Sequence, residues 1–97
     1  MLSAVSVAAD ADDQHTISAC FSVQARAEPG VMPRALELFA KRGLVPQLWH
    51  GAVAGPRSAA TLTIEIRIAG LGRDTVDYIA RCLRQIVGVD TVLTTSD

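Results

Sequence analysis

Few side chains in this sequence are arranged for catalysis. Two histidines, His15 and His50, and two cysteines, Cys20 and Cys82, are spread along the chain. They form neither a CxxC pair nor any other spacing typical of a metal site. No nucleophile stands beside a base, and no two carboxylates have a spacing suited to acid–base chemistry. The sequence therefore predicts no catalytic residue, no metal and no cofactor.

Residues 30–34, Gly-Val-Met-Pro-Arg, open a predicted helix and could bind an anion through free backbone N–H groups. The segment loosely resembles the phosphate-binding loop of acylphosphatases. That resemblance also implies an asparagine that positions the attacking water, and this chain contains no asparagine. An acylphosphatase-like enzyme is therefore a distant third candidate, behind the two functions given below.

The hydrophobic pattern places this segment between regular elements. Residues 15–25 and 60–69 alternate between apolar and polar side chains, which predicts two half-buried strands. Residues 31–42 carry apolar side chains at helical spacing, and Gly43 is expected to end that helix. Residues 44–53 form a weaker predicted strand.

The second half of the chain repeats this order. The segment 70–72, Gly-Leu-Gly, is expected to end the third strand, and Asp74 to cap a second helix that runs to Gly88. Residues 89–95 form a short last strand. The order predicts an α+β fold, a ferredoxin-like βαββαβ sandwich. Two helices cover one face of its four-stranded antiparallel sheet, and the second strand lies at a sheet edge.

Composition limits the function. The 97 residues suffice for one domain, predicted over residues 15–97 behind a small, acidic, flexible leader over residues 1–14. The net charge is −1, and the basic residues form no stripe along the sequence. The outward positions of strands one and three lack the aromatic residues on which RNA bases stack. We expect no nucleic-acid partner, no membrane span and a cytoplasmic location with reduced thiols.

Two segments carry a family resemblance. Residues 27–32, Ala-Glu-Pro-Gly-Val-Met, resemble the loop and glycine that open the first helix of ACT domains. Residues 37–43, Glu-Leu-Phe-Ala-Lys-Arg-Gly, resemble the end of that helix. Residues 83–89 resemble the last helix–strand junction of the small regulatory subunits of acetolactate synthase, the shortest of which are single ACT domains. The resemblance covers about residues 15–96.

The ACT resemblance implies a ligand site in which N–H groups at the helix N-terminus hold an amino acid's carboxylate and residues near strand two, often from a partner subunit, hold its amino group. The matching positions are Gly30, Val31, Met32, Val45, Pro46 and Gln47. Ala27 and Val45 replace two polar amides of the family pattern. An ammonium group beside them would be unpaired, so we do not expect inhibition by valine.

Two functions follow from the resemblance. The first is a non-catalytic subunit that activates or stabilises a large thiamine-diphosphate-dependent synthase in branched-chain amino-acid biosynthesis. The second is a free-standing ACT sensor of an amino acid or a more apolar small ligand, which acts on another protein. Both imply a homodimer or higher oligomer. Trp49, on the predicted edge strand, is expected either in that interface or in the core.

Overall fold

Two long central strands follow from the alternating pattern. The computed structural model describes residues 16–96, and in it β1 spans Thr16–Arg26 and β3 spans Thr61–Gly72. They pair antiparallel, with Phe21 opposite Ile66 and Val23 opposite Ile64. The side chains of one face are buried in the core: Ala19, Phe21, Val23, Ala25, Leu62, Ile64, Ile66 and Ile68.

The sheet order is β2-β3-β1-β4, with every neighbouring pair antiparallel. β2 spans Leu48–Ala54 and β4 spans Val89–Ser96, so these two strands form the edges. A short 3₁₀ helix, Arg57–Ala59, lies between β2 and β3. This arrangement confirms the ferredoxin-like βαββαβ prediction and the edge position of the second strand.

Two amphipathic helices cover one face of the sheet. α1 spans Val31–Ala40 and α2 spans Arg73–Arg84. Phe39 of α1 is fully buried, and its ring meets Phe21 edge-on at 6.0 Å between centroids. α2 contributes four buried residues: Val76, Ile79, Ala80 and Leu83. The core therefore lies between the helices and the inner face of the sheet.

The third strand does not end where its glycines predict. β3 continues through residues 70–72 and pairs with the start of β1, where Leu71 lies opposite Ile17. The register shifts between Ile17 and Ala19, and Gly70 has a φ of 82°. Gly70 thus forms a bulge, because a positive φ costs glycine little, and the strand resumes beyond it.

Several element ends also differ from prediction. β2 begins at Leu48, four residues later than expected, and α1 ends at Ala40 although Gly43 adopts the predicted left-handed conformation (φ 69°). Gly72 occupies the N-cap of α2, and Asp74 lies inside its first turn. α2 ends at Arg84, before Gly88. Both helices close by i→i+3 backbone hydrogen bonds, from the Gly43 N–H to the Ala40 carbonyl at 3.0 Å and from the Gln85 N–H to the Cys82 carbonyl at 3.1 Å, so each helix ends before its glycine.

The predicted leader over residues 1–14 lies outside the described residues. Within residues 16–96, no helix has the length and apolar character needed to cross a membrane.

Candidate functional site

The β1–α1 loop brings its predicted ligand residues together at the start of α1. Gly30 is the N-cap of α1, with a φ of −82° that any residue can adopt. A positive φ therefore does not require glycine at this position. A Cβ on Gly30 would instead come within 2.7 Å of Nη1 of Arg34, so the glycine leaves room for this guanidinium.

The backbone donors at this helix end are fewer than the ACT resemblance implies. The Val31 N–H already donates to the Glu28 carbonyl at 3.2 Å, and Pro33 has no N–H. Val31 itself is buried in the core. Gly30 and Met32 carry the remaining N–H groups that a carboxylate could meet here.

Met32 is half-buried and lies over the edge strand. A Cβ on Gly51 of β2 would come within 2.7 Å of the Met32 Cε atom, so the missing side chain at Gly51 makes room for the thioether. Sequence reasoning missed Gly51. A single glycine inside a strand pattern was the signal, since it often marks a close approach of another group.

A cleft of about 450 Å³ opens beside this loop. We call it the loop cleft. Its lining is apolar except for Glu28, whose Oε2 lies 3.6 Å from Nε of Arg26. The lining residues are Ala27, Glu28, Pro29, Met32, Pro33, Val53 and Leu62. A ligand in the loop cleft would meet mostly hydrocarbon, with one carboxylate at the side.

The other three predicted ligand residues lie at the opposite end of α1. Val45, Pro46 and Gln47 precede β2, and a ten-residue helix is about 15 Å long. Gln47 donates its backbone N–H to the Arg67 carbonyl at 2.8 Å, and Val45 is 85% exposed. One chain therefore does not bring the two halves of the predicted site together.

Trp49 lies on β2, opposite Ile66, and is half-buried. Its ring meets the Phe39 ring edge-on at 6.3 Å between centroids. The side chain thus packs on the border of the core, while its role in an interface stays a prediction. His50, the next residue, is exposed.

The border between α1 and β2 exposes several large apolar side chains. Leu36 lies one helical turn after Met32 and is 47% exposed, and Val53 at the end of β2 is 62% exposed. β2 pairs with β3 on one side only among the described strands. We call β2 and this border the β2 edge surface. Its exposed apolar residues are Leu36, Val45, Leu48 and Val53, of which Leu48 faces the open side of the sheet.

The open face of the sheet is mostly polar, but it also exposes the apolar side chains of Leu48 and Leu93. Ser22 donates a hydrogen bond to Glu65 Oε2 at 3.5 Å across β1 and β3. Cys20 is opposite Arg67, and a hydrogen bond and electrostatic interaction with the Cys20 side chain raise the pKa of the Arg67 guanidinium, which is protonated in any case. Within the described residues, no three His, Cys, Asp or Glu side chains are grouped to hold a metal ion.

Comparison with protein families identifies the family of this chain. A family model described as an ACT-like domain matches residues 11–96. The chain belongs to the ACT-like domain family. ACT domains are regulatory, ligand-sensing modules, so the match identifies this chain as an ACT-like regulatory domain. Comparison with curated proteins finds no significant match.

Solved structures share the ACT-like fold at low sequence identity. An uncharacterized protein from Thermotoga maritima superposes with a TM-score of 0.66 and 18% identity, over 84% of this chain and 96% of its own. The ACT domain of GTP pyrophosphokinase from Chlorobium tepidum gives 0.63 and 15%, over 82% and 99%. The C-terminal domain of MgtC from Mycobacterium tuberculosis gives 0.62 and 17%, over 88% and 92%. At these sequence identities the comparisons show a shared fold and nothing further.

Proposed function

We propose that this ACT-like domain is a non-catalytic regulatory subunit that pairs with a second copy along β2 and acts on a larger enzyme by contact. The β2 edge surface carries this proposal. The outer edge of β2 presents N–H and C=O groups that another strand can pair with. Four large exposed apolar side chains lie along or beside that edge. Burying them against a second copy would stabilise the domain.

Antiparallel pairing along β2 would also complete the predicted ligand site. The loop cleft lies at the end of β2, where Val53 lines it, and Val45 to Gln47 precede the start of β2. Two antiparallel β2 strands place the start of one beside the end of the other. Residues 45–47 of the second copy would then approach the loop cleft of the first.

For the larger enzyme, we propose a thiamine-diphosphate-dependent acetolactate synthase, on the resemblance of residues 83–89 to its small subunits. Inhibition by valine is not part of this proposal. Ala27 lines the loop cleft and Val45 is exposed without a polar atom in its side chain. Glu28 is the only carboxylate of the cleft lining, and it already faces Arg26. A valine ammonium would thus lack the amide partners of the family pattern.

The test is acetolactate formation by the synthase large subunit of the same organism, with and without this chain and with and without branched-chain amino acids. We expect a several-fold activation that valine does not reverse. Activation reversed by valine would show that the inference from Ala27 and Val45 is wrong. No activation at any ratio of the two chains would exclude the synthase as the partner.

The loop cleft favours a second candidate, a sensor of a small apolar ligand that serves another protein. Six of its seven lining residues are apolar, which suits a hydrocarbon group better than a charged one. Equilibrium dialysis against a set of amino acids and their decarboxylated or deaminated analogues tests it. Binding of an apolar analogue, lost in Met32→Glu, supports the sensor; no binding by any compound contradicts it.

A further inference from the structure

Two arginines from different elements flank one exposed tyrosine ring. The Arg42 guanidinium carbon lies 4.5 Å from the centroid of the Tyr78 ring, and that of Arg81 lies 5.8 Å from it. Arg42 follows α1, whereas Tyr78 and Arg81 lie on α2. Tyr78 is 43% exposed. We call these three residues the arginine–tyrosine cluster. It joins the two helices on the side of the molecule away from the sheet.

The charges of this cluster are not neutralised within the described residues. Lys41, next to Arg42, has Glu37 at 3.8 Å, and Arg26 has Glu28 at 3.6 Å. No carboxylate of residues 16–96 lies within 4 Å of either cluster arginine, although Asp77 precedes Arg81 by one turn. Two guanidinium groups therefore remain available for an outside partner.

Stacking on a ring prepares the guanidinium groups for binding. The ring holds each planar group by a cation–π contact and leaves N–H groups free to donate. A guanidinium fork matches a carboxylate with two parallel hydrogen bonds, and less side-chain freedom is lost when the fork is already positioned. Tyrosine and arginine are also the residue types that concentrate binding energy at protein interfaces.

We propose that the arginine–tyrosine cluster docks a carboxylate-rich segment of a partner protein. This inference rests on the proposed regulatory function, because it names the chemistry by which the domain would hold the larger enzyme. Two guanidinium groups without an ion-pair partner favour a segment that carries negative charge. The exposed Tyr78 ring between them adds an apolar contact at the centre of the cluster. The cluster lies on α2 and the turn after α1, and it leaves the β2 edge surface free for the second copy.

The direct test titrates the full chain with a capped hexaglutamate peptide and follows the Nε–Hε signals of arginine by NMR. At low salt we expect saturable shifts of Arg42 and Arg81, with affinity reduced at least fivefold in Arg42→Gln and in Arg81→Gln. Tyr78→Phe, which keeps the ring, should bind nearly as well as the wild type, and Tyr78→Leu more weakly. Arg57→Gln, on the exposed 3₁₀ helix, is the matched control and should change nothing.

Three results would overturn the proposal. The first is no saturable shift, and the second is an equal loss in Arg57→Gln, which indicates diffuse attraction. The third is a fivefold gain of affinity when Asp10, Asp12 and Asp13 are all changed to Asn, which assigns the cluster to the chain's own acidic segment. Where the chain activates the synthase, Arg42→Gln/Arg81→Gln should abolish activation and leave the oligomer mass unchanged. Hexaglutamate binding without activation would contradict the synthase assignment alone.

Discussion

At the residue scale, the Phe39 side chain connects the edge strand β2 to the core. Its ring is fully buried and meets Phe21 on β1 and Trp49 on β2, so one side chain links a central strand, an edge strand and α1. Edge-to-face aromatic pairs contribute beyond the area that they bury. The spacing of Met32, Ala35, Leu36 and Phe39 predicts the buried stripe, although Leu36 is 47% exposed. It does not predict which strands the stripe contacts, because that depends on the packed topology.

We predict that Phe39→Ala lowers the free energy of unfolding by about 3–5 kcal/mol, because it removes a large buried ring that its neighbours cannot replace. Urea denaturation followed by circular dichroism measures the loss. Phe39→Leu should lose less and keep the chain folded. Val87→Ala, at a side chain that is 72% exposed, is the control and should stay within about 0.5 kcal/mol of the wild type. A loss in Phe39→Ala no larger than in Val87→Ala contradicts the prediction.

The exposed cluster of Arg42, Tyr78 and Arg81 could not be predicted from the sequence. Arg42 lies 36 positions before Tyr78, and only the packing of α1 beside α2 brings the two side chains together. By contrast, Tyr78 and Arg81 are neighbours by helical spacing alone. The sequence pattern predicts contacts within one helix, but it does not predict contacts between side chains of different elements.

At the element scale, the pattern predicts which elements form and in what order better than where they end. Alternation and helical spacing extend over many residues, so a single misplaced residue does not hide them. An end depends on one or two residues: Gly70 and Gly72 indicate a stop, yet Gly70 forms a bulge and β3 continues to pair with β1. Likewise, Val45 to Gln47 were expected in a strand or at its start, and they form the connection before it.

The α2–β4 junction yields a prediction about one glycine. Gly88 has a φ of 99°, and a Cβ there would stand 3.0 Å from both Glu28 Oε1 and Val31 Cγ2. Its carbonyl also accepts the Arg26 N–H at 2.8 Å, so the junction supports the start of the β1–α1 loop. We expect Gly88→Ala to cost about 1–3 kcal/mol of unfolding free energy, because both the backbone and the neighbouring side chains oppose a Cβ.

Gly72→Ala is the matched control for Gly88→Ala. Gly72 has a φ of −72°, and a Cβ there would meet nothing within 4 Å. Its substitution should cost only about 0.5–1 kcal/mol of unfolding free energy, because alanine is a poorer N-cap residue than glycine but meets no neighbouring atom here. Thermal denaturation of both variants measures the difference, and equal stability of the two would show that the junction at Gly88 relaxes without cost.

At the scale of the whole molecule, one chain does not assemble the ligand site that the ACT resemblance implies. The residues that the ACT resemblance selects fall into two groups at opposite ends of α1, a separation that follows from the helix between them. The approach of the loop cleft to the end of β2, by contrast, depends on the direction of β2 in the sheet. The parallel course of β1 and β2 places the loop cleft beside the end of β2. An antiparallel second copy is the simplest arrangement that brings the other group to that end.

Pairing along β2 predicts a dimer whose mass by light scattering is twice the 10.3 kDa of one chain. Leu36→Lys and Val53→Lys should each return the mass toward that of one chain, because they place a charge within the apolar part of the β2 edge surface. Both side chains are exposed, at 47% and 62%, so the domain itself should stay folded, as circular dichroism can verify. Val87→Lys is the control, since it alters an apolar residue that is 72% exposed and follows the end of α2, and it should leave the dimer intact. A dimer that survives Leu36→Lys and Val53→Lys but dissociates in Leu93→Lys, on β4, would assign the interface to the open face of the sheet instead.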